Sequence, residues 1–113
     1  MKIDVMEASG ITLIKPKGKL TIAGGDVALR ECIEQTLGSG TKKILVDLGG
    51  VAAMDSSGLG ELIASRKLCS DHGAEIKLLD VTKKVTKVLT MTRLVGIFDI
   101  HEDQSSALAS FRS

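Results

Sequence analysis

Lys43-Ile44-Leu45-Val46-Asp47-Leu48, then Gly49 to Met54, then Asp55-Ser56-Ser57-Gly58-Leu59-Gly60-Glu61-Leu62 is the stretch that decides the fold. The first six residues form a short, almost continuous apolar run. That length, with glycines behind it, favours a strand covered on both faces over a helix. Gly49 to Met54 reads as a loop. Asp55, Ser56 or Ser57 then caps a helix running from about Ser57 to Asp71, stopped by His72-Gly73. Its apolar stripe is Leu59, Leu62, Ile63 and Cys69, widened by Ala64 and Leu68. A buried strand followed at once by a helix is half of a strand–helix–strand unit.

The units on either side complete it. Upstream, Leu29, Ile33 and Leu37 recur every fourth residue, with Cys32 and Thr36 beside them. They predict an amphipathic helix capped at Asp26 after Gly24-Gly25 and stopped by Gly38-Ser39-Gly40. Before it, Ile3 and Val5, then Ile11 and Leu13, alternate with polar neighbours around Ser9-Gly10, which predicts an antiparallel hairpin. Pro16 belongs at a strand end or a bulge, because it cannot donate to a ladder. Lys15, Lys17 and Lys19 form a solvated comb. Downstream, Glu75 to Val81 predicts a strand, and Val81, Val85, Val88, Leu89 and Thr92 mark a third helix. Residues 97–100 predict a short last strand. A helix from about Gln104 to Phe111 closes the chain, with Leu108 and Phe111 facing inwards. The order ββαβαβα(β)α implies a mixed, four- to five-stranded sheet with about four helices, its parallel part joined by right-handed crossovers. Residues 1–113 read as one α/β domain.

Composition narrows the function. The chain has 113 residues, 15 basic and 14 acidic side chains, no Trp, no Tyr and two Phe. A net charge of +1 provides no broad basic field, and two aromatics do not make a stacking platform, so no nucleic acid is expected as a partner. Apolar runs of about five residues fall well short of a membrane span. Asp4 and Glu7 interrupt the place where an export signal would need an apolar stretch, which leaves the cytoplasm as the expected location. Cys32 and Cys69 stand far apart with no CxxC, and read as reduced, packed side chains. His72 and His101 lie in a helix-end signal and a polar tail, so no metal site and no catalytic triad is expected. Asp99, Glu102 and Asp103 around His101 would make at most an adventitious metal site. No phosphate-cradling glycine motif is present. Gly24-Gly25-Asp26 fits a turn and cap better than an anion site. No cofactor and no enzymatic activity are expected.

Two glycines, Gly58 and Gly60, in a helix's first turns each cost up to about 1 kcal/mol relative to Ala. They make sense where a neighbouring loop or a partner protein comes close to the backbone. Ser56, on a loop among small residues with no base nearby, is suited to receive a phosphoryl group; a plain helix cap is the competing reading.

Met54-Asp55-Ser56-Ser57-Gly58-Leu59-Gly60 resembles the signature loop of STAS domains of the anti-sigma-factor antagonist type, Met-Asp-Ser-(Ser/Thr)-Gly-Leu-Gly. Ile44-Leu45-Val46-Asp47-Leu48 is similar to the family's preceding strand. Gly73-Ala74-Glu75-Ile76-Lys77-Leu78 is similar to its lead-in to the next strand, and Val85 to Ile97 to the helix and segment after that. The resemblance implies a partner-switching module. Ser56 would be phosphorylated by an anti-sigma factor that is also a serine kinase. The unmodified form would bind that factor and free the sigma factor, and a metal-dependent, PP2C-type serine phosphatase would reverse the modification. ATP and metal would belong to those partners. Met54, Asp55, Ser57, Gly58, Leu59 and Gly60 would form the loop and partner-binding surface of a monomer or weak dimer. The chain departs from the family at Gly18-Lys19-Leu20-Thr21, where Gly-Glu-(Leu/Ile)-Asp is usual. With Thr21 and Lys19 there, the field around Ser56 is less negative. The alternative is a STAS scaffold subunit of a signalling or transporter-associated complex that uses the same surface without phosphorylation. A nucleotide-binding STAS domain is a third reading.

Overall fold

The computed structural model describes residues 1–22 and 25–111, with the side chains of Asp26 and Val95 outside that set. The Gly24 turn predicted before the first helix lies outside the described residues, but the helix itself begins at Gly25, so Asp26 is its second residue and not the predicted cap. The elements in order are β1 (Lys2–Ala8), β2 (Ile11–Leu20), α1 (Gly25–Gly38), β3 (Lys43–Asp47), β4 (Val51–Met54), α2 (Ser56–Asp71), β5 (Glu75–Leu79), α3 (Lys83–Met91), β6 (Ile100–His101) and α4 (Gln104–Ser110).

The hairpin forms as predicted. Ala8 pairs with Ile11, and Ser9 and Gly10 take φ of 55° and 79°, the left-handed pair that a two-residue hairpin requires. The sheet runs β1-β2-β3-β5-β6, antiparallel between β1 and β2 and parallel elsewhere, with β4 also parallel to β2. It has six strands among the described residues where four to five were expected. The addition is β4, assigned to a loop by sequence. Its Val-Ala-Ala-Met buries only the Val51 side chain, so it carries no alternation; pairing with the end of β2 makes it a strand.

Pro16 sits within β2, neither at its end nor in a bulge. β3 pairs with β2 through Ile14 and β4 takes over at Gly18. Pro16 thus occupies the interval where β2 changes partner, two residues before Gly18, after which the register shifts, and its missing N–H breaks no ladder to β3 or β4. β2 also departs from simple alternation, because Ile11, Thr12, Leu13 and Ile14 are all buried. It is a central strand with cover on both faces.

That cover is unequal. On one face Ile14, Ile44, Val46 and Leu78 pack with Leu29, Ile33 and Leu37 of α1, Leu59, Leu62 and Cys69 of α2, and Val85 and Leu89 of α3. On the other, Ile11, Leu13, Leu45 and Leu79 pack with Ala107, Phe111 and the partly buried Leu108, at α4 and its end. The predicted stripe of α2 packs in the core at Leu59, Leu62, Ile63, Leu68 and Cys69, while Ala64 is exposed and Glu61 and Ser65 are buried beside it. β5 stops at Leu79, before Asp80 at φ 54°, rather than at Val81. Thr82 caps α3, its hydroxyl accepting from the Val85 N–H at 3.3 Å. Thr92 ends the helix exposed instead of facing the core. β6 forms later than residues 97–100 predict, pairing Leu78 with Ile100 and Leu79 with His101. His101 is accordingly half-buried within the sheet, Nε2 3.0 Å from Asp99 Oδ1, rather than in a tail. Leu108 is half-buried. Burial pushes the Cys69 thiol up to about 11. No helix among the described residues is long and apolar enough to cross a membrane.

Candidate functional site

The C-terminal end of β2 organises the site. Its last residue, Leu20, pairs with Met54, the last of β4. The chain then turns into α2 through Asp55, whose own N–H reaches the Leu20 carbonyl at 3.4 Å. Asp55 is the N-cap in extended backbone, and Ser56 is the first helical residue. The predicted helix start is right to one residue.

Asp55 uses both carboxylate oxygens. Oδ1 accepts from the Gly58 N–H at 3.0 Å, which closes the cap. Oδ2 accepts from the Ile22 N–H at 3.1 Å, on the segment after β2. These bonds, Gly58's first and then Ile22's, hold the Asp55 carboxyl below the usual carboxylate range. Ser56 is exposed, Ser57 and Met54 are half-buried, and Leu59 is buried in the core. Thr21 is half-buried on the same segment as Ile22.

The two glycines have different surroundings. A Cβ on Gly58 would lie 1.9 Å from the Leu20 carbonyl oxygen, so that glycine is there for an internal close approach. A Cβ on Gly60 would meet nothing within 4 Å, and Gly60 is exposed. Gly25 repeats the Gly58 arrangement one carbonyl earlier: its Cβ would lie 2.1 Å from the Lys19 oxygen, and its N–H bonds to the Thr21 carbonyl at 3.2 Å. Successive carbonyls at the end of β2 are thus each touched by the bare start of a helix, and α1 and α2 converge there. Arg30 of α1 then grips Glu61 of α2, Nε donating to Oε2 at 2.9 Å and Nη2 to Oε1. Glu61 is nearly buried at 9% exposure.

Ser56, Asp55, Met54, Ser57, Gly58 and Thr21 come together at this junction. Leu59 acts through packing, and Gly60 lies a half-turn further along an open helix face. The sequence gives no sign of Ile22 or the Arg30–Glu61 pair, and Gly25, expected in a turn before the helix, is instead the helix's first residue against β2. Each acts across a long separation, and the available clue was the surplus of glycine. Chemically, the junction presents one exposed hydroxyl at a helix N-terminus. The adjacent carboxylate is already committed to two N–H groups.

Residues 2–107 match the model of the STAS domain. The anti-sigma F factor antagonist of Paenibacillus polymyxa is 27% identical over 108 residues, covering 96% of this chain and 92% of that protein. The crystal structure of TM1081 from Thermotoga maritima has a TM-score of 0.89 at 25% identity, over 98% of this chain and 95% of that one. The fold is shared with the Bacillus cell fate determinant SpoIIAA in its phosphorylated form, TM-score 0.73 at 18% identity over 98% and 100% of the two chains. The unphosphorylated form of SpoIIAA has a TM-score of 0.71 at 16% identity, over 96% and 94%.

Proposed function

The chain belongs to the STAS domain family, and from that membership we propose that it is an anti-sigma factor antagonist switched by phosphorylation of Ser56. The unmodified form binds an anti-sigma factor and so frees a sigma factor. That anti-sigma factor is also a serine kinase, and it ends the interaction by modifying Ser56. A PP2C-type serine phosphatase hydrolyses the phosphoserine and restores binding. The name carried by the Paenibacillus relative supports the role.

The observation that carries the choice of residue is the exposed position of Ser56 as the first residue of α2. In the transfer, Ser56 Oγ bonds to the γ-phosphorus of ATP held by the kinase. The bond to the bridging oxygen breaks and ADP leaves. The hydroxyl proton goes to a base on the kinase, because Asp55 is a poor one: its carboxylate accepts two N–H bonds and its pKa is lowered. The chain supplies the acceptor and its partner the catalysis.

Phosphoserine adds roughly −1.5 to −2 charge at neutral pH. A chain at +1 then passes to about −1. The helix N-terminus offsets part of that charge within the molecule. A tightly docked apolar or acidic partner surface does not, so the modification acts by charge and bulk in the interface. The test is to incubate the chain with ATP and the serine-kinase partner and read phosphate by mass spectrometry. One added phosphate on Ser56, absent from Ser56→Ala, is expected, and Ser56→Asp should bind the partner more weakly. A Ser56→Ala chain that restores full regulation in cells, with no kinase modifying the wild type, would favour the unphosphorylated scaffold instead.

A further inference from the structure

Ile22 is, at 76%, the most exposed large apolar side chain among the described residues. Val27, in the first turn of α1, is 47% exposed. An isolated exposed aliphatic is ordinary on a protein surface. The backbone of Ile22 is not ordinary, because its N–H is bound by the carboxylate of the residue directly before Ser56. The other oxygen of that carboxylate caps α2. One charged group therefore fixes both the phosphoacceptor's helix and the segment that carries Ile22.

Resting on the reading above, we propose that Ile22 is an apolar anchor for the anti-sigma partner in the unmodified state, and that Asp55 transmits the state of Ser56 to it. The occupant is an apolar pocket beside the kinase's phosphoryl-transfer site, since that site must come against Ser56 and Ile22 is tied to the same junction. A phosphoryl dianion on Ser56 repels Asp55 and competes for the N–H groups at the start of α2. The Asp55–Ile22 bond weakens and the anchor loses its fixed position. The switch thus has two parts, charge added at Ser56 and an apolar contact withdrawn at Ile22.

The experiment compares the affinity of unmodified wild type, Ile22→Ala and Ile22→Leu for the anti-sigma kinase, and records amide spectra before and after that kinase acts. Ile22→Ala should weaken binding about tenfold or more, the scale of burying several methylene groups. Ile22→Leu should bind close to wild type. In the unmodified chain the Ile22 and Gly58 amide protons should titrate together with the Asp55 carboxyl. After phosphorylation the Ile22 amide should move and exchange faster with solvent, while core amides hold still. Wild-type affinity in Ile22→Ala, or an Ile22 amide untouched by phosphorylation, would overturn this inference and leave the proposed function standing. A wild-type chain that does not bind the kinase at all would overturn both.

Discussion

At the scale of single residues, Gly58 and Gly60 form a natural control for one another. Both are helical and two positions apart, yet one faces a carbonyl and the other faces open space. Gly58→Ala must displace Leu20 or the start of α2, backbone against backbone, and should lower stability by about 2 to 3 kcal/mol in denaturant titrations. Gly60→Ala should raise it by up to about 1 kcal/mol, since the added methyl restricts the unfolded chain and meets nothing in the folded one. If partner docking needs a bare backbone at Gly60, the stabilised variant will bind more weakly. Sequence alone marked both glycines as unusual but had no means of separating them. The atom that makes Gly58 obligatory, the Leu20 oxygen, stands far away in the chain.

At the scale of elements, carboxylates placed at helix starts set the acid limit of the fold. Asp103 caps α4, accepting from the Ser106 N–H at 3.0 Å and the Ser105 N–H at 3.2 Å, and the Ser106 hydroxyl first, then these N–H groups, lower its pKa. Asp55 does the same for α2. Asp99 is lowered by the Lys77 ammonium 2.8 Å away. For a group whose pKa is depressed on folding, the stabilisation is complete above the unfolded value, near 4, and is lost as pH falls through the folded one. Melting temperature should therefore fall with acid from about pH 5 downwards. Asp103→Asn should flatten that slope without moving the neutral-pH plateau far, as followed by circular dichroism. The same Lys77, nearly buried on β5, donates to the Ser110 carbonyl at 3.2 Å and lies 5.0 Å over the Phe111 ring. Lys77→Ala should loosen α4 first, seen as faster amide exchange over residues 104–110 than over β3. The helices and the strands β1, β3 and β5 were legible because their apolar spacing is local. β4, the late start of β6 and the place of Pro16 were not, because each is decided by which strand lies alongside. The burial of Glu61 on α2 has the same origin: it pairs with Arg30 of α1, and apolar periodicity carries no sign of an ion pair between two helices.

Across the whole molecule, the family resemblance was legible in a short loop together with the order of elements around it. The candidate site was legible as a position, Ser56, and not as a structure, since its supports come from β2, α1 and α2 at once. Phosphorylation should leave that framework intact. Amide shifts are expected to be confined to residues 20–22 and 54–62, and the modified chain should migrate towards the anode on a native gel while the unmodified chain does not. A global change in spectra would contradict a switch that works by local charge.

On the proposed switch, the convergence of the starts of α1 and α2 on the last carbonyls of β2 also determines what a modifying enzyme would recognise. The proposed acceptor, Ser56, is displayed by a conformation and not by a linear consensus. A synthetic peptide covering residues 50–62 keeps the hydroxyl, the aspartate and both glycines, but loses Leu20, Ile22 and the partner helix. A kinase that modifies the folded chain should leave that peptide untouched. Under the proposed function, folding would then be a prerequisite for signalling, and a nascent or damaged copy would be invisible to the circuit until its sheet had closed.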